Sequence, residues 1–346
     1  MATKGVESGI KLPSINDTQS YSSLSPSIHT ELSSVTPFDQ SCSSEYNISI
    51  KLEQCGYKIL TAIEDGLQGK IYIGINTETN ETIIIKSALK FLHDNSIAFI
   101  DDNCIEYVSV YENIINESNI LKYLNNCNPV SGYIKIIDFF QDNLNYLMIL
   151  QYGGISLFDY ILNNLPLIWD INKWKNHVRI LFKQMVLYIN WLHSNNVCHL
   201  DISIENCVIN RDTNIVSFID FGLSHKFDNN SFKHNKFGIG KREYMSYEVS
   251  GYDSNIKYYD ARKVDIWALG VCLFAMLTGC ELYNNPTKQE LKPLLNGYLN
   301  DLIKIKQLKH MIDDNALSLL NNIFKPENDR YNINQILKHI YCLNIK

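Results

Sequence analysis

From about Lys51 onward, apolar and polar residues alternate in short runs: Tyr57–Ile63, Lys70–Asn76 and Thr82–Lys86. The turn-forming Asp65-Gly66 and Glu78-Thr79-Asn80 separate them. A period of two between such turns predicts β-strands. Next comes a helical stretch in which Val110, Ile114, Leu121 and Leu124 share one apolar stripe, and two more strands follow around Ile134–Phe140 and Leu144–Leu150. From Ser156 the helical period dominates, over Trp174–His193, Lys263–Leu277, Lys288–Lys306 and Ala316–Phe324. The apolar run Ile266–Leu277 is too short to span a bilayer and reads as a helix buried on all sides. A small sheet-rich part followed by a larger helical part predicts an α+β fold with a cleft between.

The first residues behave differently. Met1 to about Asn47 is rich in serine and threonine, has no sustained apolar period and is expected to be a disordered leader ending near residue 50. Met1 to Ile10 holds no apolar run fit for a secretory signal, and Ala2 replaces the glycine that myristoylation requires. The net charge of −6 argues against a nucleic-acid partner. The nine cysteines are scattered singly, without a CxxC pair, as in a reduced compartment. A soluble, cytoplasmic monomer with no membrane insertion is expected.

The chemistry concentrates in His199-Leu200-Asp201-Ile202-Ser203-Ile204-Glu205-Asn206, followed fourteen positions after Asn206 by Asp220-Phe221-Gly222. An Asp-Phe-Gly alone is weak. Joined at this spacing to His-x-Asp with an asparagine five residues on, it is specific. Here the sequence resembles the eukaryotic protein kinases, over about Tyr57 to Tyr341. The resemblance implies a two-lobed protein kinase-like fold, with an N-lobe over 51–152 and a C-lobe over 153–346. It also implies ATP as phosphoryl donor, Mg²⁺ (or Mn²⁺) as cofactor, and protein substrates. Phosphoryl transfer needs positioning and charge neutralisation. Asp201 would orient the substrate hydroxyl, and Asn206 and Asp220 would supply hard oxygen ligands to the metal. Gly222 would permit the backbone turn that aims Asp220.

Upstream, Ile63-Glu64-Asp65-Gly66-Leu67-Gln68-Gly69-Lys70-Ile71-Tyr72 looks like the glycine-rich loop over the ATP phosphates, with Glu64 in place of the first glycine. Lys86, seventeen residues after Gly69, takes the place of the lysine that contacts the α/β-phosphates. Glu117 falls on the apolar helical stripe, where a carboxylate is costly unless paired, so pairing with Lys86 is expected; Glu112 is the alternative. About a dozen extra residues between Lys86 and Glu117 suggest an insertion around Phe91–Asn103. In the adenine pocket Ile71 and Ile84 would form the roof and Val208 the floor. Leu150 would be the gatekeeper, and Gln151, Tyr152 and Gly153 the hinge. Further on, Glu248 is expected to pair with Arg330, and Asp265 to anchor the catalytic-loop backbone.

Two departures flank Asp201. Leu200 replaces the arginine that commonly binds an activation-loop phosphate, so activity independent of that phosphorylation (non-RD) is expected. Ser203 replaces a lysine, and Lys241 stands where the family has a threonine. The exchange suggests that Lys241 reaches back to Ser203, Asp201 and the γ-phosphate. These departures, with Tyr259-Asp260-Ala261-Arg262-Lys263, resemble the FIKK serine/threonine kinases of apicomplexan parasites. Of that family's naming tetrad, Ile85 and Lys86 match, while Ile84 and Ser87 differ. Serine/threonine transfer is therefore expected. The competing readings are a pseudokinase scaffold and a tyrosine or dual-specificity kinase.

Overall fold

The computed structural model of the chain describes residues 48–66, 68–95, 98–101, 104–106, 113–167, 170–228, 231–283 and 287–343. The expected leader disorder, Leu67, Val110 and Glu112 lie outside these residues. The alternating runs form β1 (Tyr57–Asp65), β2 (Lys70–Asn76) and β3 (Thr82–Leu89). The stretch read as an insertion holds a short helix, α1 (Lys90–Asn95), and a hairpin of β4 (Ala98–Asp101) and β5 (Cys104–Glu106). Helix α2 (Ile114–Asn125) follows, then β6 (Ile136–Gln141) and β7 (Asn145–Gln151). The five long strands make one antiparallel sheet in the order β1-β2-β3-β7-β6.

Period-two alternation gives the sheet two different faces. Ile83 and Ile85 of β3 join Tyr57, Tyr72, Leu147 and Ile149 in a core closed by Ile48 and Leu52. Residues 48–54 are helical, so Ile48 and Leu52 lie one turn apart on the same side. Packed structure is thus already present at residue 48, ahead of the boundary placed at 51. Ile84 and Lys86 take the opposite face.

The remainder is mainly helical: α3 (Leu157–Asn164), α4 (Ile171–Ser194), α5 (Ala261–Thr278), α6 (Lys288–Leu295), α7 (Leu299–Ile305), α8 (Asp314–Ile323) and α9 (Ile333–Lys338). The expected α+β fold is what the chain builds. Helix α5 is buried along almost its whole length; Asp260 caps its start and Gly279, at φ 65°, ends it. One expectation is corrected: Lys288–Lys306 is two helices, α6 and α7. The chain reverses at Asn296-Gly297, where glycine takes φ 88° at little steric cost.

Two buried carboxylates tie the helical part together. Asp265, on α5, accepts N–H groups from His199 (3.0 Å) and Leu200 (2.9 Å) and an imidazole contact from His193 (2.9 Å). Glu248 receives a two-pronged contact from Arg330, at 2.5 and 3.0 Å, and both side chains are sequestered from water. Burial pushes the Glu248 carboxyl up, but the Arg330 guanidinium outweighs it and holds the group below the ordinary glutamate value. Arg330→Met should destabilise the fold by about 3–5 kcal/mol at neutral pH, because it leaves a buried carboxylate unpaired. Since the folded pKa is depressed, this stabilisation is complete above about pH 4.5 and is lost as pH falls through the folded value. Denaturant titrations of both proteins from pH 7 downward should show the gap narrowing only in acid. A constant gap would refute this account.

Candidate active site

The site is built around the ammonium of Lys86. On β3 it stands opposite Ile71 of β2 and Met148 of β7. Its Nζ donates to Glu117 Oε2 at 2.7 Å and to Asp220 Oδ1 at 3.1 Å. Glu117 sits in the first turn of α2, which starts at Asn113, whose side chain accepts the Asn116 N–H at 2.8 Å. Glu117 is 1% exposed and also accepts the Phe221 N–H at 3.2 Å. Burial pushes its carboxyl up, opposed by Lys86. Burial also acts to raise Asp220, but Lys86 and the Gly222 N–H outweigh it and hold that carboxyl below the usual range. The left-handed residue of this turn is Asp220 itself, at φ 64°, which corrects the assignment of that role to Gly222. Gly222 contributes its N–H to Asp220 Oδ1 instead, at 3.3 Å.

One backbone bond, Ile219 N–H to Asn206 O at 2.9 Å, ties this turn to the loop carrying Asp201. The Asn206 amide nitrogen donates to the Asp201 backbone carbonyl at 2.9 Å and to its carboxylate at 2.6 Å. Burial pushes the Asp201 carboxyl above the usual aspartate value; His199 and Lys241 oppose the shift. Lys241 gives its backbone N–H to Asp201 Oδ1 at 3.0 Å. Its Nζ lies 3.2 Å from Ser203 Oγ, 3.3 Å from Asn206 Oδ1 and 3.6 Å from Glu205. The structure thus brings together Lys86, Glu117, Asp220, Asn206, Asp201, Ser203 and Lys241. The donor set suits a hard divalent cation: the Asn206 nitrogen is committed to Asp201, so Oδ1, with one lone pair facing Lys241, is the atom that could turn to a metal, and Asp220 contributes a carboxylate held ionised by Lys86.

Beside this cluster Ile84 pairs with Leu150 across β3 and β7, and Leu150 and Val208 are buried. A Cβ on Gly153 would come within 2.6 Å of Val208 and Ile134, so the chain passes close to both there. The Gln151 N–H is engaged with Lys135 O at 3.0 Å, which removes it as a donor to a ligand. Tyr152 follows directly on this strand. Ile63 is 53% exposed and Ile71 is half-buried. Glu64 pairs with Ile71 just after a register shift at Ala62/Glu64, and it does not take a positive φ, so its backbone does not call for glycine. Gly66 donates to Gly69 O at 2.7 Å, closing the loop.

A sequence model of the protein kinase domain matches residues 57–342. The chain belongs to the protein kinase family. Similar curated proteins include calcium-dependent protein kinase 4 of Plasmodium falciparum (isolate 3D7), 31% identical over 230 residues, 64% of this chain and 40% of that protein. A probable serine/threonine-protein kinase KIN1 homolog of Encephalitozoon cuniculi is 27% identical over 240 residues, covering 68% of this chain and 38% of the relative. The carbon catabolite-derepressing protein kinase of Saccharomyces cerevisiae is 28% identical, with 64% and 30% covered. The chain therefore aligns with two-fifths or less of the length of these relatives.

Two parts of this kinase domain were not read from the sequence. Asn116 donates to Gly222 O (3.3 Å) and Ser224 O (2.9 Å), clamping α2 to the segment after Asp220; an asparagine inside a helix gives no signal of this. The second part is an aromatic cluster around Leu200, including Phe227 and Phe232, whose members are too far apart in sequence to show a period. In the glycine-rich loop, a Cβ on Gly69 would lie 1.9 Å from the Ser87 carbonyl oxygen, a contact no small shift relieves. Gly69→Ala should displace the loop and raise KM for ATP about tenfold, at a stability cost of about 1–3 kcal/mol from the overpacking. An unchanged KM in steady-state kinetics would remove the loop from nucleotide binding.

Proposed function

We propose that this chain is an ATP- and Mg²⁺-dependent protein kinase that transfers the γ-phosphoryl group to serine or threonine hydroxyls of proteins. One observation carries this: Lys86 bridges Glu117 and Asp220, while Asn206 joins that turn to Asp201. The nucleotide-binding role of Ile63, Gly66, Gly69, Ile71, Ile84, Leu150, Gln151, Tyr152, Gly153 and Val208 belongs to the same proposal. So does metal ligation by Asn206 and Asp220. The serine/threonine assignment is supported by the printed name of the Encephalitozoon relative. The FIKK affinity rests on the residues around Leu200 and Lys241 alone.

Asp201 accepts the substrate hydroxyl's proton as its oxygen bonds to phosphorus and the bond to the β-phosphate oxygen breaks. Lys86 holds the triphosphate end of the nucleotide, and Mg²⁺ when bound neutralises the charge that builds on the phosphate oxygens. Lys241, beside Ser203 and Asn206, supplies the cation that Ser203 cannot. Leu200 offers no charge to a phosphate on the activation segment, so no such phosphate is needed.

Purified chain with Mg-ATP and a mixed peptide library should yield phosphoserine or phosphothreonine, and Asp201→Asn should cut the rate about a thousandfold. Phosphatase treatment should leave the rate unchanged. Absence of transfer by the wild type points to a nucleotide-binding scaffold, and phosphotyrosine as the main product overturns the specificity.

Lys241→Met should lower kcat about a hundredfold with KM for ATP nearly constant. Lys241 opposes the upward shift of Asp201, so removing it raises that carboxyl's pKa further. The acid limb of the kcat profile should therefore move to higher pH. An unmoved limb and an intact kcat would make Lys241 a surface lysine.

A further inference from the structure

Lys241 is not part of the catalytic loop. It belongs to the segment between Asp220 and Glu248, so its ammonium can act only when that segment is in place. What holds the segment is visible in the packing. Leu200, at φ 65° and 3% exposed, lies in one apolar cluster with Phe227, Phe232, Ile239 and Val264. The Phe227 and Phe232 rings lie 5.3 Å apart, tilted by 39°, and the Arg262 guanidinium covers Phe232 at 4.1 Å. Phe237 is half-buried against the same cluster. Backbone bonds pin the segment on both sides, from Phe227 N–H to Asn196 O (2.8 Å) and from Ala261 N–H to Phe232 O (2.9 Å).

The cluster reaches the reacting groups through three consecutive residues. Ile239 is 4% exposed within it. Gly240, at φ 81°, passes so close to the catalytic loop that a Cβ would lie 2.9 Å from Leu200 O and 3.3 Å from Asp201 Oδ1. Lys241 then donates its N–H to Asp201 and places Nζ on Ser203 and Asn206. Buried on one side and hydrogen-bonded on the other, this strip has little freedom to relocate Lys241.

We propose that Leu200, Phe227, Phe232 and Ile239 are positioning residues: an apolar latch that seats the activation segment, and through it the Lys241 ammonium, at the site of transfer. The proposal rests on the kinase reading and on the role given to Lys241. It assigns the place of an ionic, phosphate-dependent latch to hydrophobic packing that needs no modification to form.

A double-mutant cycle tests it. Ile239→Ala should lower kcat about tenfold while leaving KM for ATP within about twofold. In the Lys241→Met background the same substitution should cost less than about twofold, because the group it positions is already gone. Ile239→Val should restore kcat to within about twofold of wild type. Thermal unfolding establishes that each variant is folded at the assay temperature; where Ile239→Ala is not, Phe232→Leu carries the same cycle. Equal losses of kcat in both backgrounds, or no loss in either, would overturn the latch while leaving the kinase reading intact. Transfer absent from the wild type removes both.

Discussion

A single ammonium held between two carboxylates sets the terms for the site. Lys86 comes from the sheet, Glu117 from α2 and Asp220 from the turn that follows the short strand Ile215–Phe218. Burying Glu117 is favourable only with Lys86 beside it, since a carboxylate left alone there faces a desolvation penalty of several kcal/mol, on the order of what a whole domain has in reserve, and the same ammonium offsets the repulsion between Glu117 and Asp220. Docking of α2 and the backbone path after Asp220 are thus one requirement. Glu117 enforces it twice, through Lys86 and through the Phe221 N–H, and Asn116 extends the contact to Gly222 and Ser224.

Such interlocking explains which features could be read in advance. Lys86 and Glu117 were legible because a charge on an apolar stripe demands a partner, and only a few partners exist. The strands were legible because a half-buried sheet imposes a period of two. The Asp201–Asn206 loop was legible because metal and proton chemistry restrict residue type at fixed spacing. Features resting on backbone conformation or on tertiary assembly were not. Nothing in Asp220-Phe221-Gly222 says that the aspartate adopts the left-handed conformation, and the glycine was the natural choice. The break between α6 and α7 was written in Asn296-Gly297, but the apolar period continues across it and hid the turn. Ile48 and Leu52 sit at the edge of a polar stretch, and their use is apparent only once the bare sheet face is seen.

The departures from the family pattern acquire a common logic in this setting. In the loop anchored by Asp265, Ser203 Oγ accepts from the Asn206 N–H at 3.1 Å, a local bond that a lysine at the same position could not make. Moving the cation to position 241 keeps a positive charge beside Asp201 while transferring control over it. A lysine in the anchored loop would be present whenever the domain is folded. A lysine in the activation segment is present only when that segment is ordered. On the role proposed for Lys241, the exchange would make segment order a condition of charge complementarity, whether or not any phosphate is involved.

Leu200 then becomes the counterpart of that exchange rather than a second, unrelated loss. An arginine at position 200 would place a charge in the cluster of Phe227, Phe232 and Val264, where burial without a partner is strongly unfavourable. The two kinds of latch also respond differently to their surroundings. An ion pair with a phosphate is screened by salt and created or erased by enzymes, whereas apolar packing is largely indifferent to ionic strength and weakens on cooling. A segment held by Leu200 and its aromatic neighbours is ordered as part of folding. On the proposed latch, regulation of such a domain would act on the packing itself or on access to the cleft.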